Sequence, residues 1–100
     1  MSLKIDVVKG DHSTTVVAEG ELDLATAPIL RAELTSLYDR EHREVALDLS
    51  GLEYIDSTGF GVIVSSHRSL TAAGGHLWLS GASPQVRRLL VLMGLDSWMH

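Results

Sequence analysis

Residues 47–61 read LDLSGLEYIDSTGFG, and this stretch indicates both the fold class and the candidate site. The apolar run at 45–49 has the length and composition of a central buried strand. Residues 50–56 are predicted to form a loop. From Ser57 onward a helical period continues until Gly74 and Gly75 end it. The positions that share this period are Phe60, Ile63, Val64, His67 and Leu70.

The residues before this stretch predict a β-hairpin followed by a helix. Residues 3–7 alternate between apolar and charged side chains, residues 14–19 are rich in β-branched side chains, and Gly10-Asp11 lies between them as a turn. Thr26, just before Pro28, is typical of a helix start, and the helix is predicted to end near Tyr38. The charged stretch 39–44 is predicted to be a solvated connection.

The residues after it predict one more strand and one more helix. HLWLS at 76–80 has strand length, and Ser83-Pro84 begins a third helix that Gly94 ends. Val86, Leu89, Leu90 and Met93 are predicted to share one face of this helix. The order ββαβαβα predicts an α/β domain with a mixed, mostly parallel β-sheet packed with helices and a hairpin at one edge.

Length and composition limit the classes of function. A chain of 100 residues forms one domain, and its net charge of −5 disfavours nucleic acid and anionic membrane surfaces as partners. The absence of cysteine excludes disulfides, thiolate metal sites and a cysteine nucleophile. The N-terminus lacks the features of a signal peptide, and the longest apolar run, 89–95, is too short to span a bilayer. A cytoplasmic protein is expected.

Several catalytic and cofactor motifs fail at single positions around Ser57. A hydrolase elbow needs glycine where Ile55 stands, and a dinucleotide fingerprint needs glycine where Val64 stands. A phosphate-binding P-loop is absent, and an aspartic-protease motif is interrupted by Thr58. The five histidines, at positions 12, 42, 67, 76 and 100, show no ligand spacing. No cofactor, metal ion or catalytic residue is predicted.

Ser57 and Asp23 each have a purely structural interpretation. Ser57 stands where a helix cap is expected, and Asp23 can be a loop residue or an acid that leads into the helix near Thr26. The cap interpretation leaves Gly59 and Gly61 unexplained, because each costs about 1 kcal/mol relative to alanine inside a helix. The two glycines therefore predict that something approaches the helix backbone closely.

The chain resembles the STAS domain, and most closely the bacterial anti-sigma-factor antagonists. The resemblance rests on residues 48–64, on Gly-Glu-Leu-Asp at 20–23, and on Arg-Arg-Leu-Leu at 87–90 leading to Met-Gly-Leu-Asp at 93–96. It implies a single STAS domain over residues 1–100. It also implies one further helix beyond residues 96–100, which this sequence does not include.

The resemblance implies a switch controlled by phosphorylation rather than an enzyme. Ser57 matches the hydroxyl that is phosphorylated, with Thr58 as the second choice. The kinase would be an anti-sigma factor with GHKL-type serine kinase activity, and a PPM-type phosphatase would reset the switch. The unphosphorylated protein would bind the anti-sigma factor. The expected partner surface comprises Asp23, Asp56, Ser57, Thr58, Gly59 and Phe60.

Two other functions stay open on the sequence. A STAS subunit of a lipid-transport or anion-transport complex would share the fold and use it as a binding module. A small hydrolase could use Ser57 as its nucleophile, although no motif pairs a base with this serine.

Overall fold

The computed structural model describes residues 2–37 and 44–99. Within these residues the chain forms the predicted order ββαβαβα, followed by a 3-10 turn. The elements are β1 (Leu3–Lys9), β2 (Ser13–Leu22), α1 (Ala27–Thr35), β3 (Glu44–Ile55), α2 (Ser57–Ala72), β4 (His76–Ser80), α3 (Pro84–Leu92) and the 3-10 helix Asp96–Trp98. Helix α1 thus ends before Tyr38; Tyr38 itself and segment 39–43 lie outside the described residues.

The part of the chain that the structure describes contains one sheet of four strands, in the order β1-β2-β3-β4. Strands β1 and β2 pair antiparallel as the predicted hairpin, and β2, β3 and β4 run parallel to one another. Because parallel neighbours are joined through helices, the carboxyl ends of β2 and β3 meet at the same edge of the sheet. The predicted fold class is confirmed.

The predicted loop at 50–56 is wrong, because β3 continues to Ile55. The end of β2 pairs with this segment, Gly20 with Leu52 and Leu22 with Ile55, and two register shifts absorb the extra residues of β3. Gly51 fits here because an added Cβ would lie 2.7 Å from Glu19 Cγ. Tertiary pairing therefore overrides the turn-like composition of Ser50-Gly51.

The core is one cluster that joins the buried side chains of the strands and helices. Alternate residues of β2 and β3, such as Val16 and Leu47, are fully buried, whereas their neighbours on the opposite face of the sheet, such as Val17 and Asp48, are half-buried. This alternation is expected of a sheet that has one face covered by helices.

Helix α3 begins after Ser83, as predicted, and its buried side chains end at Leu90. Ser83 Oγ accepts the backbone N–H of Val86 at 3.3 Å, as a cap residue does. Leu90 is buried, but Met93 is 54% exposed. Met93 is the C-cap of this helix.

Both tryptophans pack at the margin of the sheet and are half-buried. Trp98 stacks on the His67 ring with centroids 3.7 Å apart, and Met99 forms a bridge to Leu79 of β4. Trp78 Nε1 donates a hydrogen bond to Glu44 Oε2 at 3.1 Å. These contacts attach the last described residues to α2 and β4.

The His67–Trp98 stack predicts a pH-dependent stability. Burial, and secondarily the nearby charge of His76, lower the pKa of His67 below its usual 6.5. As the pH falls, the unfolded chain protonates this ring before the folded chain does, so folding stability is lost below about pH 6.5. Denaturant titrations from about pH 8 to about pH 5 should show a smaller loss in His67→Phe, which keeps a stacking ring without the charge.

His76→Gln serves as the second variant in this series. It removes the charge that adds to the depression of the His67 pKa, so it should reduce the acid-dependent loss only in part. An unchanged pH dependence in His67→Phe would contradict the assignment to this ring.

Candidate functional site

The candidate site lies at the carboxyl ends of β2 and β3. Asp23 follows β2 and Asp56 follows β3. The backbone N–H of Asp56 donates to Leu22 O at 3.1 Å, and the Asp56 carboxylate accepts the N–H of Leu24 at 3.2 Å through Oδ2. The two segments that were far apart in sequence are thus bonded directly to each other.

Asp56 also caps helix α2. Its Oδ1 accepts the backbone N–H of Gly59 at 3.0 Å, and its backbone carbonyl accepts the N–H of Phe60 at 3.0 Å. The structure therefore assigns the cap to Asp56, and the interpretation of Ser57 as the cap residue is wrong. The reason is that β3 ends at Ile55 and α2 begins at Ser57, so Asp56 is the last residue before the helix.

Asp23 holds the turn that leads into α1. Its Oδ1 accepts the N–H groups of Ala25 and Thr26, each at 3.0 Å, and its own N–H donates to Thr26 Oγ1 at 2.9 Å. The Thr26 hydroxyl in turn donates to Glu21 O at 2.7 Å. Asp23 is only 8% exposed. Its carboxylate therefore shapes the loop from within, as the helix-leading interpretation expects.

Ser57 is exposed at the first position of α2, and within the described residues its hydroxyl has no hydrogen-bond partner. Thr58 is half-buried, Gly59 is buried, and Phe60 is 7% exposed and belongs to the core. Of the residues predicted for the partner surface, Ser57 is thus the most accessible. Gly59 and Phe60 position the start of α2 from beneath.

The predicted close approach to the helix backbone is found at Gly59. An added Cβ there would lie 2.7 Å from Leu22 Cγ and 2.9 Å from Leu22 O, so glycine lets α2 pack against the end of β2. Gly61 has nothing within 4 Å of an added Cβ. It lies one helical turn after Ser57 on the same exposed face, and it leaves the space beside the serine open.

Two exposed apolar side chains lie at this edge that the sequence did not predict. Leu24 is 74% exposed and Tyr54 is 46% exposed, and with Asp23, Ala25 and Asp56 they line an open depression. Tyr54 would have been found if β3 had been predicted to reach Ile55, because Ile55 is buried and the adjacent residue of a strand points to the opposite face. The surface defined by Leu24, Tyr54, Asp56 and Ser57 is called the switch surface below.

Within residues 2–37 and 44–99, no group of histidine and carboxylate side chains is arranged to hold a metal ion. In the same part of the chain, no helix is long and apolar enough to cross a membrane.

Comparison with known protein families matches residues 4–100 to the STAS domain, and the chain belongs to this family. The anti-sigma-B factor antagonist of Staphylococcus aureus (strain NCTC 8325 / PS 47) is 33% identical over 100 residues, which cover 100% of this chain and 93% of that protein. The resemblance found in the sequence is therefore confirmed.

Solved structures agree with this assignment. The anti-sigma factor antagonist SpoIIAA in its unphosphorylated form superposes with a TM-score of 0.82 at 28% identity, covering 97% of this chain and 86% of that one. An anti-sigma factor antagonist from Mycobacterium paratuberculosis gives a TM-score of 0.86 at 26% identity, with coverages of 96% and 81%. The fold is thus shared across most of each chain.

Removing the cap should separate the roles of the two adjacent residues. Asp56→Ala loses the bonds to Gly59 and Leu24. It is expected to lower the free energy of unfolding by about 1 kcal/mol, as the loss of a helix cap does. Ser57→Ala should change it by less than about 0.5 kcal/mol, as is usual for exposed positions. Urea titration of both variants measures the difference, and equal losses would contradict the assignment of the cap.

The two glycines of α2 should respond in opposite directions to the same substitution. Gly59→Ala places a methyl group against Leu22 and should cost about 1–3 kcal/mol, as overpacking does. Gly61→Ala enters open space within a helix and should stabilise the protein by about 0.5–1 kcal/mol. Thermal or urea unfolding of the pair tests this, and a destabilised Gly61→Ala would show that the space is occupied.

Proposed function

We propose that this protein is an anti-sigma-factor antagonist that binds an anti-sigma factor through the switch surface and is inactivated by phosphorylation of Ser57. The observation that carries the proposal is the position of Ser57: its hydroxyl is exposed at the first residue of α2 and is not used as the helix cap. Two similar proteins, an anti-sigma-B factor antagonist and the anti-sigma factor antagonist SpoIIAA, support the same function.

The start of α2 is suited to hold a phosphoryl group without a change of fold. The N-terminus of this helix carries the positive end of its dipole, and its first N–H groups have no carbonyl partner within the helix. A phosphate on Ser57 adds about −1.5 to −2 charges and strong acceptor oxygens at this point. Thr58 is the second acceptor in order of preference, because its side chain is half-buried.

The same phosphate would weaken binding of the partner. It would stand next to the Asp56 carboxylate, which already carries a negative charge and is fixed by its bonds to Gly59 and Leu24. Added charge and bulk beside the apolar side chains of Leu24 and Tyr54 would disfavour a partner that buries them. Asp23 contributes by holding Leu24 in place through the turn.

The proposal extends to the partners and to the location of the protein. The kinase is an anti-sigma factor with GHKL-type serine kinase activity, and the enzyme that removes the phosphate is a PPM-type phosphatase. The antagonist itself acts by binding and is not an enzyme. The protein is located in the cytoplasm, where ATP is available to the kinase.

Phosphorylation and binding can be tested with the same variants. Incubation of the protein with its cognate anti-sigma factor and ATP should place phosphate on Ser57, as mapped by mass spectrometry. Ser57→Ala should remain unphosphorylated and keep its affinity for the anti-sigma factor, measured by calorimetry. Ser57→Asp should lose only part of the affinity, because one carboxylate carries less charge than a phosphate.

Ser65→Ala, on the same helix, is the control for these measurements. The Ser65 hydroxyl donates to Val62 O. The Ser65→Ala variant should be phosphorylated on Ser57 at the rate of the unmodified protein. Phosphate on a residue other than Ser57 would contradict the proposed site. Full affinity after stoichiometric phosphorylation of Ser57 would contradict the switch.

The open space at Gly61 gives a separate test of access to the serine. Gly61→Leu fills the face of α2 one turn after Ser57 and should leave the fold intact, because an added Cβ meets nothing within 4 Å. It should slow phosphorylation of Ser57 several-fold. Gly61→Ala, with a much smaller side chain, is the matched control and should be phosphorylated nearly as fast as the unmodified protein.

A further inference from the structure

The outer edge of β1 has backbone groups that β2 does not use. Glu21 N donates to Ser2 O at 2.9 Å, and Gly10 N donates to Ser13 O at 2.7 Å, at the two ends of the β1–β2 ladder. Hydrogen-bonded pairs alternate along an antiparallel ladder. The even-numbered residues of β1 therefore direct their backbone N–H and C=O groups toward β2. The odd-numbered residues Leu3, Ile5 and Val7 therefore direct their N–H and C=O groups outward.

This edge is not paired within the described residues, where β1 contacts only β2 in the sheet. An unpaired edge is a template for another strand. The side chains along it alternate: Lys4 and Asp6 are exposed on one face, while Ile5 and Val7 are half-buried on the other. The pattern therefore offers both charge and apolar contacts to a strand of suitable sequence.

The sequence of β1 fits a second copy of itself in one antiparallel register. If Ile5 lies opposite Ile5 of the second copy, Leu3 lies opposite Val7, and Lys4 lies opposite Asp6. Each outward-facing residue then meets another outward-facing residue, as hydrogen bonding requires. In the neighbouring register, Ile5 would lie opposite Val7 of the second copy and Asp6 opposite Asp6. Repulsion between the two like charges disfavours that register. One register thus satisfies hydrogen bonds, charges and apolar contacts together.

The apolar face of this edge is also incompletely covered. Ile5 and Val7 line an open depression between β1 and the end of α1, together with Glu33, Ser36 and Leu37. Their counterparts on β2, Ala18 and Val16, are fully buried in the core. A second β1 strand in the proposed register would place its own Ile5, Leu3 and Val7 beside these half-covered side chains and bury both sets.

We propose that two copies of this chain associate through their β1 edges, antiparallel and with Ile5 opposite Ile5, to form a continuous sheet of eight strands. The pairing is a two-fold contact in which each copy contributes the same residues. It is distinct from the switch surface, which lies at the carboxyl ends of β2 and β3, and it does not depend on the proposed function.

Cross-linking tests the register directly, since the chain contains no cysteine of its own. In the proposed pairing the Cα atoms of the two Ile5 residues lie about 5.5 Å apart, which a disulfide can bridge. Ile5→Cys should therefore form a covalent dimer under mild oxidation. The two Val7 residues would be about four strand positions apart, roughly 13 Å, so Val7→Cys should not. Circular dichroism establishes that both variants are folded.

Charge variants test the same contact without cross-links. Lys4→Glu and Asp6→Lys should each shift the monomer–dimer equilibrium toward monomer in sedimentation velocity, because each places like charges opposite one another. An equimolar mixture of the two should recover the dimer, since every facing pair is then of opposite charge. Lys9→Glu makes the same charge change outside the facing pairs and should behave as the unmodified protein does.

Three results would overturn the proposal. In the first, the unmodified protein stays monomeric across the whole concentration range. In the second, Val7→Cys forms cross-links as readily as Ile5→Cys. In the third, Lys4→Glu and Asp6→Lys each remain dimeric when measured separately. The last two would place the contact in another register or on another face.

Discussion

The parallel pairing of β2 with β3 continues to Leu22 and Ile55, and the candidate site depends on this pairing. It brings the residues after each strand to one edge of the sheet, where the N–H of Asp56 bonds to Leu22 O. The Asp56 carboxylate then joins the N–H of Leu24 on one side to the N–H of Gly59 on the other. If β3 ended at Leu49, as its apolar run suggests, the pairing that positions Asp56 beside Leu22 and Leu24 would be lost.

The two acids at this edge have different tasks, and the difference follows from their burial. Asp23 is almost completely buried and uses its carboxylate on the backbone of its own turn. Asp56 is half-buried and links the turn to helix α2. Because these acids satisfy the backbone groups around it, Ser57 does not have to act as a cap. Its hydroxyl is therefore exposed and has no hydrogen-bond partner within the described residues.

The outer strand β1 is built on a different principle from the strands of the core. Parallel strands β3 and β4 are specified by buried leucines, whereas β1 alternates charged and apolar residues at an open edge. Charged residues on an edge strand usually prevent unwanted pairing. In this chain the opposite charges of Lys4 and Asp6 are spaced so that some registers place like charges opposite each other and another register places opposite charges together. The same charges can therefore select one partner strand.

The sequence by itself determined the order of the elements and the fold class, and it singled out Ser57 as the candidate site residue. Apolar periods and glycine or proline punctuation report local preferences, and in this chain those preferences agree with the fold for β1, β4 and the start of α3. The resemblance to STAS domains rested on contiguous motifs, which need no knowledge of contacts. Ser57 and Asp23 were found in the same way.

Only the tertiary structure decided how the site is assembled. The length of β3 depends on pairing with β2, and Ser50-Gly51 reads as a turn unless that partner is known. Asp56 displaced Ser57 as the cap because the strand ends at Ile55. The exposure of Leu24 and Tyr54 depends on which face each backbone segment presents after the register shifts. These features arise from contacts between residues far apart in the chain, and a local pattern does not encode such contacts.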